Sequence, residues 1–289
     1  MSILLDKKTK VIVQGITGTQ ASFHTQKMIM YGTNIVGGVT PSRGGSKHLD
    51  VNVFNSVSEA VKETKATASV MFVPARFVKD AVKEAAEAEL DSVVAIASGV
   101  PIKDMMEIKA ILKGSKTLFI GPNTPGIITS EEAYLGIFPE NIHTKGNIGI
   151  VSRSSTLTYE AVLETTRAEM GQSSVIGLGD DMIVGTDFVE IIKKFHEDDN
   201  TKAILMIGQQ GGMYEEAGAE YYANLKHKKP VIGYVAGSTI PMEDKMGYAG
   251  DIITRGKITA EGKKEIMREA GIMVAENIGQ IHQLLKTIK

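Results

Sequence analysis

Short runs that are apolar throughout alternate along the chain with longer stretches whose apolar residues recur at three- and four-residue spacing. In the first half the apolar runs fall at residues 10–14, 34–39, 68–73, 92–97 and 117–120, and the periodic stretches at 21–31, 57–64, 75–87 and 102–112. Phe77, Val78, Ala81, Val82 and Ala85 show the second kind, falling together on one helical face. Strands without polar alternation are covered on both faces, and strands separated by helices run parallel. The pattern predicts an α/β, Rossmann-like domain. A turn-rich stretch at 121–146, with Pro122, Pro125 and Pro139, reads as the crossover to a second domain. Ile127, Ile128, Leu135, Ile137 and Phe138 make it too apolar for a flexible linker. The alternation restarts with apolar runs at 147–151, 174–178, 203–207, 230–235 and 271–274. Helical stretches at 156–167, 186–196, 214–225, 260–269 and 278–288 separate them, predicting a second doubly wound domain. We place the domains at residues 1–125 and 126–289, the second including the crossover.

Composition narrows the chemistry. With 32 Lys and Arg against 34 Asp and Glu, no basic excess exists to draw in nucleic acid or an anionic membrane. Zero cysteines exclude disulfides, thiol catalysis and thiolate-bound metals, and no residues are assigned to a metal. Residues 1–10 lack the apolar core of a signal peptide, and no uncharged apolar run reaches the ~18 residues of a membrane span. The expected location is the cytoplasm, or an organelle matrix if a targeting segment has been removed. The six histidines are His24, His48, His143, His196, His227 and His282.

Candidate chemistry lies where strands end. Gly15-Ile16-Thr17-Gly18-Thr19-Gln20 follows the first strand and opens the first helix, and free N–H groups at a helix start attract phosphate. A dinucleotide site would show G-x-G-x-x-G and an acidic residue about 20 positions later. Neither is present, which favours a phosphate-bearing ligand other than NAD; a glycine-containing turn with no ligand is the alternative. Arg43, among turn residues after the second strand, can reach a phosphate laid over the same edge, which Ile96, Ala97 and Ser98 would also line. In the second domain Ser154, Ser155 and Thr156 open a helix containing Tyr159 and suit an anion, although one hydroxyl would suffice as an N-cap. Gly208-Gln209-Gln210-Gly211-Gly212 ends another strand, and Met246-Gly247-Tyr248-Ala249-Gly250 presents one large side chain among small ones. On spacing alone, Tyr248 reads as a loop-capping hydroxyl.

Together these segments resemble the α-subunit family of succinyl-CoA synthetase, the acid–CoA ligase of the tricarboxylic acid cycle. The resemblance covers essentially the whole chain, through "SILLDKKTKVIVQGITGTQASFH", "YGTNIVGGVTPSRGG", "GPNTPGIIT", "GNIGIVSRSSTLTYEA" and "PVIGYVAG". It implies an N-terminal Rossmann-like CoA-binding domain followed by a flavodoxin-like doubly wound ligase domain. It also implies a β subunit, in a heterodimer or heterotetramer, that carries the ATP or GTP and its Mg, with a small carboxylic acid as substrate. By position, Thr17, Gly18, Thr19, Gln20, Arg43 (usually Lys), Ile96, Ala97 and Ser98 (usually Glu) fall on the CoA-binding residues. Tyr159 falls on a substrate contact shared with the β subunit.

In that family a histidine in Gly-His-Ala-Gly carries a phosphoryl group, a glutamate orients it, and helix N-termini cradle the phosphate. Here the histidine position holds Tyr248, the glutamate position Gln209, and the glycine of the usual Ser-Gly-Thr helix start is Ser155. A phenol of pKa about 10 is ionised only to roughly a thousandth at pH 7, whereas imidazole titrates near 6.5. An amide at 209 does not replace the carboxylate's charge. The resemblance thus implies an acid–CoA ligase α subunit whose phosphohistidine relay is absent or impaired. The alternative is a catalytically inactive CoA-binding paralogue acting as a regulatory or structural partner of a β subunit. An NAD-binding protein is disfavoured by the missing acidic ribose ligand.

Overall fold

The computed structural model describes residues 3–238 and 259–288; Tyr248, with the segment 246–250, lies outside the described residues. The first domain runs β1 (Val11–Gln14), α1 (Thr19–Tyr31), β2 (Ile35–Val39), β3 (Lys47–His48), β4 (Val51–Phe54), α2 (Val57–Thr64), β5 (Ala68–Met71), α3 (Val78–Glu87), β6 (Ser92–Ala95), α4 (Ile102–Leu112) and β7 (Leu118–Ile120). Its sheet order is β3-β4-β2-β1-β5-β6-β7. Leaving out β3, which pairs antiparallel with β4, this is the Rossmann order 3-2-1-4-5-6. The hydrophobic pattern did not announce β4: it has four residues, and Asn52 interrupts its apolar run.

The second domain runs β8 (Gly126–Thr129), β9 (Ala133–Gly136), β10 (Lys145–Ser152), α5 (Ser155–Arg167), β11 (Gln172–Gly177), α6 (Phe188–Glu197), β12 (Ala203–Gln209), α7 (Tyr214–Ala223), β13 (Val231–Ala236), α8 (Ala260–Glu269), β14 (Met273–Val274) and α9 (Ile281–Lys286). In the sheet order β14-β13-β12-β10-β11-β8-β9, the parallel strands follow the flavodoxin-like order 2-1-3-4-5. Side chains of Ser154, Asp187 and Thr259 accept backbone N–H bonds at the starts of α5, α6 and α8, which fixes where these helices begin.

The turn-rich stretch read from sequence as a crossover is an antiparallel hairpin, β8–β9, added to the edge of the second sheet through β11. Glycine makes it possible. A Cβ on Gly126 would stand 1.8 Å from the Leu135 carbonyl oxygen, and one on Gly136 2.1 Å from that of Pro125. Tyr134 on this hairpin exchanges two hydrogen bonds with the Thr33 hydroxyl, at 2.9 and 3.0 Å, and Thr129 Oγ1 donates to the Leu5 carbonyl. One face of the first sheet is covered by α2, α3 and α4 around Val57, Val78, Val82 and Ile108. The other, with Val11, Val13 and Met28, joins Ile127, Tyr134 and Leu135 in a core continuous with the second domain. No helix among the described residues is long and apolar enough to cross a membrane.

His143 follows the hairpin with its ring edge-on to Phe138, its Nδ1 3.2 Å from the Pro139 carbonyl, and its Nε2 buried without a partner among the described residues. Burial pushes its pKa down from 6.5 to about 4. Between these values the unfolded chain takes up the proton and the folded one does not, so stability falls as pH drops from 6.5 to about 4. His143→Leu is expected to shrink that fall, leaving a flatter denaturation midpoint over the same window in a urea titration series.

Candidate functional site

In a doubly wound sheet, ligands lie at the carboxyl ends of the strands, where neighbouring connections leave to opposite faces. In the first domain this place is the end of β1, between β2 and β5. The chain leaves β1 through Gly15 at φ +80, packed so closely under β5 that a Cβ would stand 2.7 Å from the Phe72 carbonyl oxygen. α1 then starts from Gly18 with no side chain among the described residues capping its N-terminus, which leaves its first N–H groups open to an anion. Beside this turn opens a cavity of about 430 Å³, lined by Gln14, Gly15, Val39, Pro41, Val73 and Phe77 among others. Thr17 Oγ1 lies 3.3 Å from Thr40 Oγ1, tying the first loop to the second, while Gly18, Thr19 and Gln20 are exposed. Arg43 is exposed in a loop closed by its own backbone: its N–H donates to the Thr40 carbonyl, and its carbonyl accepts from Ser46 Oγ at 2.6 Å. Ile96 and Ala97 are half-buried after β6, and Ser98 is exposed. Val73, Pro74 and Phe77 form one wall of the cavity; the sequence pattern marks Phe77 only for a helical face, whereas it stands just before α3 and is half exposed, and the strand order that sets β5 beside β1 makes its place in the wall visible.

The corresponding place in the second domain is the end of β10, between β11 and β12. Ser154 is buried and caps α5, Ser155 is half-buried, and Thr156 is exposed in the first turn. Ser152 Oγ accepts the Ser154 N–H at 3.1 Å and donates to the Ser154 carbonyl at 2.9 Å, stiffening the turn. Facing it across the strand pair, Gly211 and Gly212 take φ of +82 and +64 after β12. Gln209 is fully buried; its Nε2 donates to Asp180 and its N–H donates to Glu215 Oε1 at 3.0 Å. Tyr159 stands further along α5 with its ring on Phe138, and burial raises its phenol above the usual range.

A buried charge network underlies these loops. Arg153 is almost wholly enclosed; NH2 donates to the Asp181 carbonyl at 3.3 Å, NH1 to the Gly211 carbonyl at 3.5 Å, and the guanidinium lies over the Tyr214 ring. Lys263, on α8, is equally enclosed; it pairs with Glu215, stands 3.4 Å from Glu216, and donates to the Gly211 carbonyl at 2.8 Å. Burial raises the carboxyl groups of Glu216 and Asp181, and Asn123 Nδ2 holds Asp181 at 3.0 Å. Asn123 also donates its N–H to the Ala97 carbonyl and accepts the Asp180 N–H. It therefore joins the ligand edge of the first sheet to that of the second. Asp180 was missed from sequence although it lies in the turn after a predicted strand, three residues past the end of β11, the kind of position that marked the other loops. Lys263 and Glu215 carried no signal, because charged residues on helices are ordinarily solvated.

Comparison with known proteins bears on this arrangement. The CoA binding domain family matches residues 6–99 and the CoA-ligase family residues 151–273, which defines the class: a CoA-binding domain followed by a CoA-ligase domain. The succinate–CoA ligase [ADP-forming] subunit alpha of Staphylococcus aureus is 49% identical over 99% of this chain and 94% of its own length. That of Staphylococcus epidermidis is 48% identical over 97% of this chain and 93% of its own. The chain belongs to the succinate–CoA ligase α-subunit family. Among solved structures, an ATP citrate lyase from Methanothrix soehngenii in complex with citrate and coenzyme A superposes with a TM-score of 0.89 at 23% identity. A dinucleotide-forming acetyl-coenzyme A synthetase 1 from Ca. Korarchaeum cryptofilum, in complex with phosphate and ADP, gives 0.80 at 18%. Both share the fold; this chain spans 99% and 97% of itself in these matches but only 50% and 60% of those longer chains.

Two outcomes follow. Gly15→Ala forces a side chain against the Phe72 carbonyl in a left-handed conformation, and is expected to weaken CoA binding at least tenfold, roughly 1.4 kcal/mol, in a calorimetric titration. Lys263→Met takes the nearer cation from the buried Glu215 carboxylate, leaving it Arg153 at 4.0 Å and the Gln209 N–H, and is expected to lower unfolding free energy by about 3 kcal/mol in denaturant melts.

Proposed function

We propose that this chain is the α subunit of an acid–CoA ligase that, with a β subunit, converts a small carboxylic acid, CoA and ATP or GTP into acyl-CoA, nucleoside diphosphate and phosphate. The observation that carries this reading is the link at Asn123 between two ligand edges, one beside the cavity at Gly15 and one at the N-terminus of α5. A thiol held on the first domain and a phosphorylated acid held on the second would meet across that seam. CoA would lie over Thr17, Gly18, Thr19, Gln20, Arg43, Ile96, Ala97 and Ser98. Phosphate or substrate would lie against Ser154, Ser155 and Thr156, with Tyr159 towards the acid. The nucleotide and its Mg belong to the β subunit in this reading. The sequence similarity to the ADP-forming enzymes supports succinate as the acid and ATP as the nucleotide.

The phosphohistidine relay is absent or impaired in this proposal. Tyr248 stands at the carrier's position, and none of the six histidines falls in 152–156, 208–212 or 246–250. This departure also favours a second reading, a CoA-binding partner of a β subunit without transfer activity. We expect CoA to bind and to protect the first domain from proteolysis. Incubation with a cognate β subunit and γ-labelled ATP or GTP is expected to leave no acid-labile phosphate on this chain. Phosphohistidine on the chain would refute the impaired relay. Thioester formation without it supports the ligase reading, and co-purification with a β subunit but no thioester supports the second.

A further inference from the structure

Gln209 is fully enclosed, yet only half of its amide is used. Its Nε2 donates to Asp180 Oδ1, while its Oε1 accepts no hydrogen bond among the described residues. The residue is fixed from behind as well, because its backbone N–H is bound by Glu215, which is itself paired with Lys263. Asp180 is half-buried at the end of β11, its N–H bound by the Asn123 carbonyl. It follows Gly179, whose φ of +107 brings the backbone so near Pro122 that a Cβ would stand 2.1 Å from the carbonyl oxygen. Two acceptors, an amide oxygen and a carboxylate, thus belong to one hydrogen-bonded pair at the ends of β11 and β12. A carboxylate at 209 instead of the amide would set two anions at hydrogen-bond distance, and one of them would have to take up a proton. Positions 180 and 209 accommodate one ionised carboxylate between them.

We propose that Asp180 carries the carboxylate of this crevice and that Gln209 is its positioning residue. The inference rests on the ligase reading above and changes one part of it: the amide at 209 goes with a negative charge placed on the turn after β11, on the far side of β10, instead of one deleted outright. The pair suits a hydrogen-bond donor, such as an imidazole N–H or a phenol O–H. It does not suit a phosphoryl group, whose oxygens would meet Asp180 as like charges; the N-terminus of α5 is the place for the anion.

Two measurements test this. In the first, thermal unfolding of the full chain is followed at about pH 5 and about pH 7.5 for Gln209→Glu, Asp180→Asn and the double variant. Gln209→Glu is expected to lower the Tm at the higher pH and less at the lower, with Asp180→Asn restoring it. Additive losses that do not depend on pH would overturn the pairing. In the second, Tyr248→His chain is incubated with a β subunit and γ-labelled nucleoside triphosphate. Label on the new histidine with Gln209 unchanged, lost on Asp180→Asn, supports Asp180 as the orienting carboxylate. Label that survives Asp180→Asn, or that requires Gln209→Glu, overturns it. If no variant accepts label, the failure falls on the ligase reading, and the unfolding cycle alone decides whether Asp180 and Gln209 are paired.

Discussion

Consecutive parallel strands require the chain to cross back over a face of the sheet each time, so all of them end on the same edge. In this molecule that constraint governs both halves. The turns after β1, β2, β5 and β6 open on one edge, and those after β10, β11 and β12 on another. Where adjacent connections leave to opposite faces, a crevice remains that no helix fills, and helix N-termini border it. The candidate chemistry follows from this geometry, and so does the seam at Asn123, since two carboxyl edges can be joined by one residue only if the sheets present them to each other.

Burying Arg153, Lys263 and Glu215 under the second crevice is not an economical way to stabilise a core, because apolar replacements of such groups often do as well or better. What the network holds is backbone. Glu215 takes the N–H at which the chain leaves β12, Lys263 and Arg153 both reach the Gly211 carbonyl, and Arg153 reaches the Asp181 carbonyl on the neighbouring turn. Arg153 ties the turns after β10, β11 and β12 to one another, and Lys263 ties the last of them to helix α8, through charge-assisted hydrogen bonds that are more directional than packing contacts. A loop of glycines kept rigid from beneath can present amide groups to an anion without side chains in the way.

The alternation of apolar runs with helical periodicity made the two-domain α/β architecture legible, because strands covered on both faces have no other common sequence signature. It was silent where elements are short or interrupted. β4 is broken by Asn52, and β8 and β9 hide among prolines and glycines that read as turns. The loops bearing Thr17, Arg43, Ser154 and Gln209 were visible because each follows a predicted strand. Asp180 met the same test, but its importance emerges only when the fold brings β11 beside β10 and the amide of Gln209 reaches it. The buried roles of Lys263 and Glu215 depend on three-dimensional neighbours about 50 residues apart in sequence, a separation that no local pattern encodes.

The β8–β9 hairpin lies after the last strand of the first sheet and pairs with the second, yet its Tyr134 packs under α1 and its backbone bonds with Thr33. The core of the first domain is thus partly built from the chain of the next one. In terms of modularity, the two halves are not interchangeable cassettes. A recombination between relatives that exchanges the first domain alone would join a foreign α1 face to a resident hairpin, and the exchangeable unit has to carry the hairpin with the domain it covers.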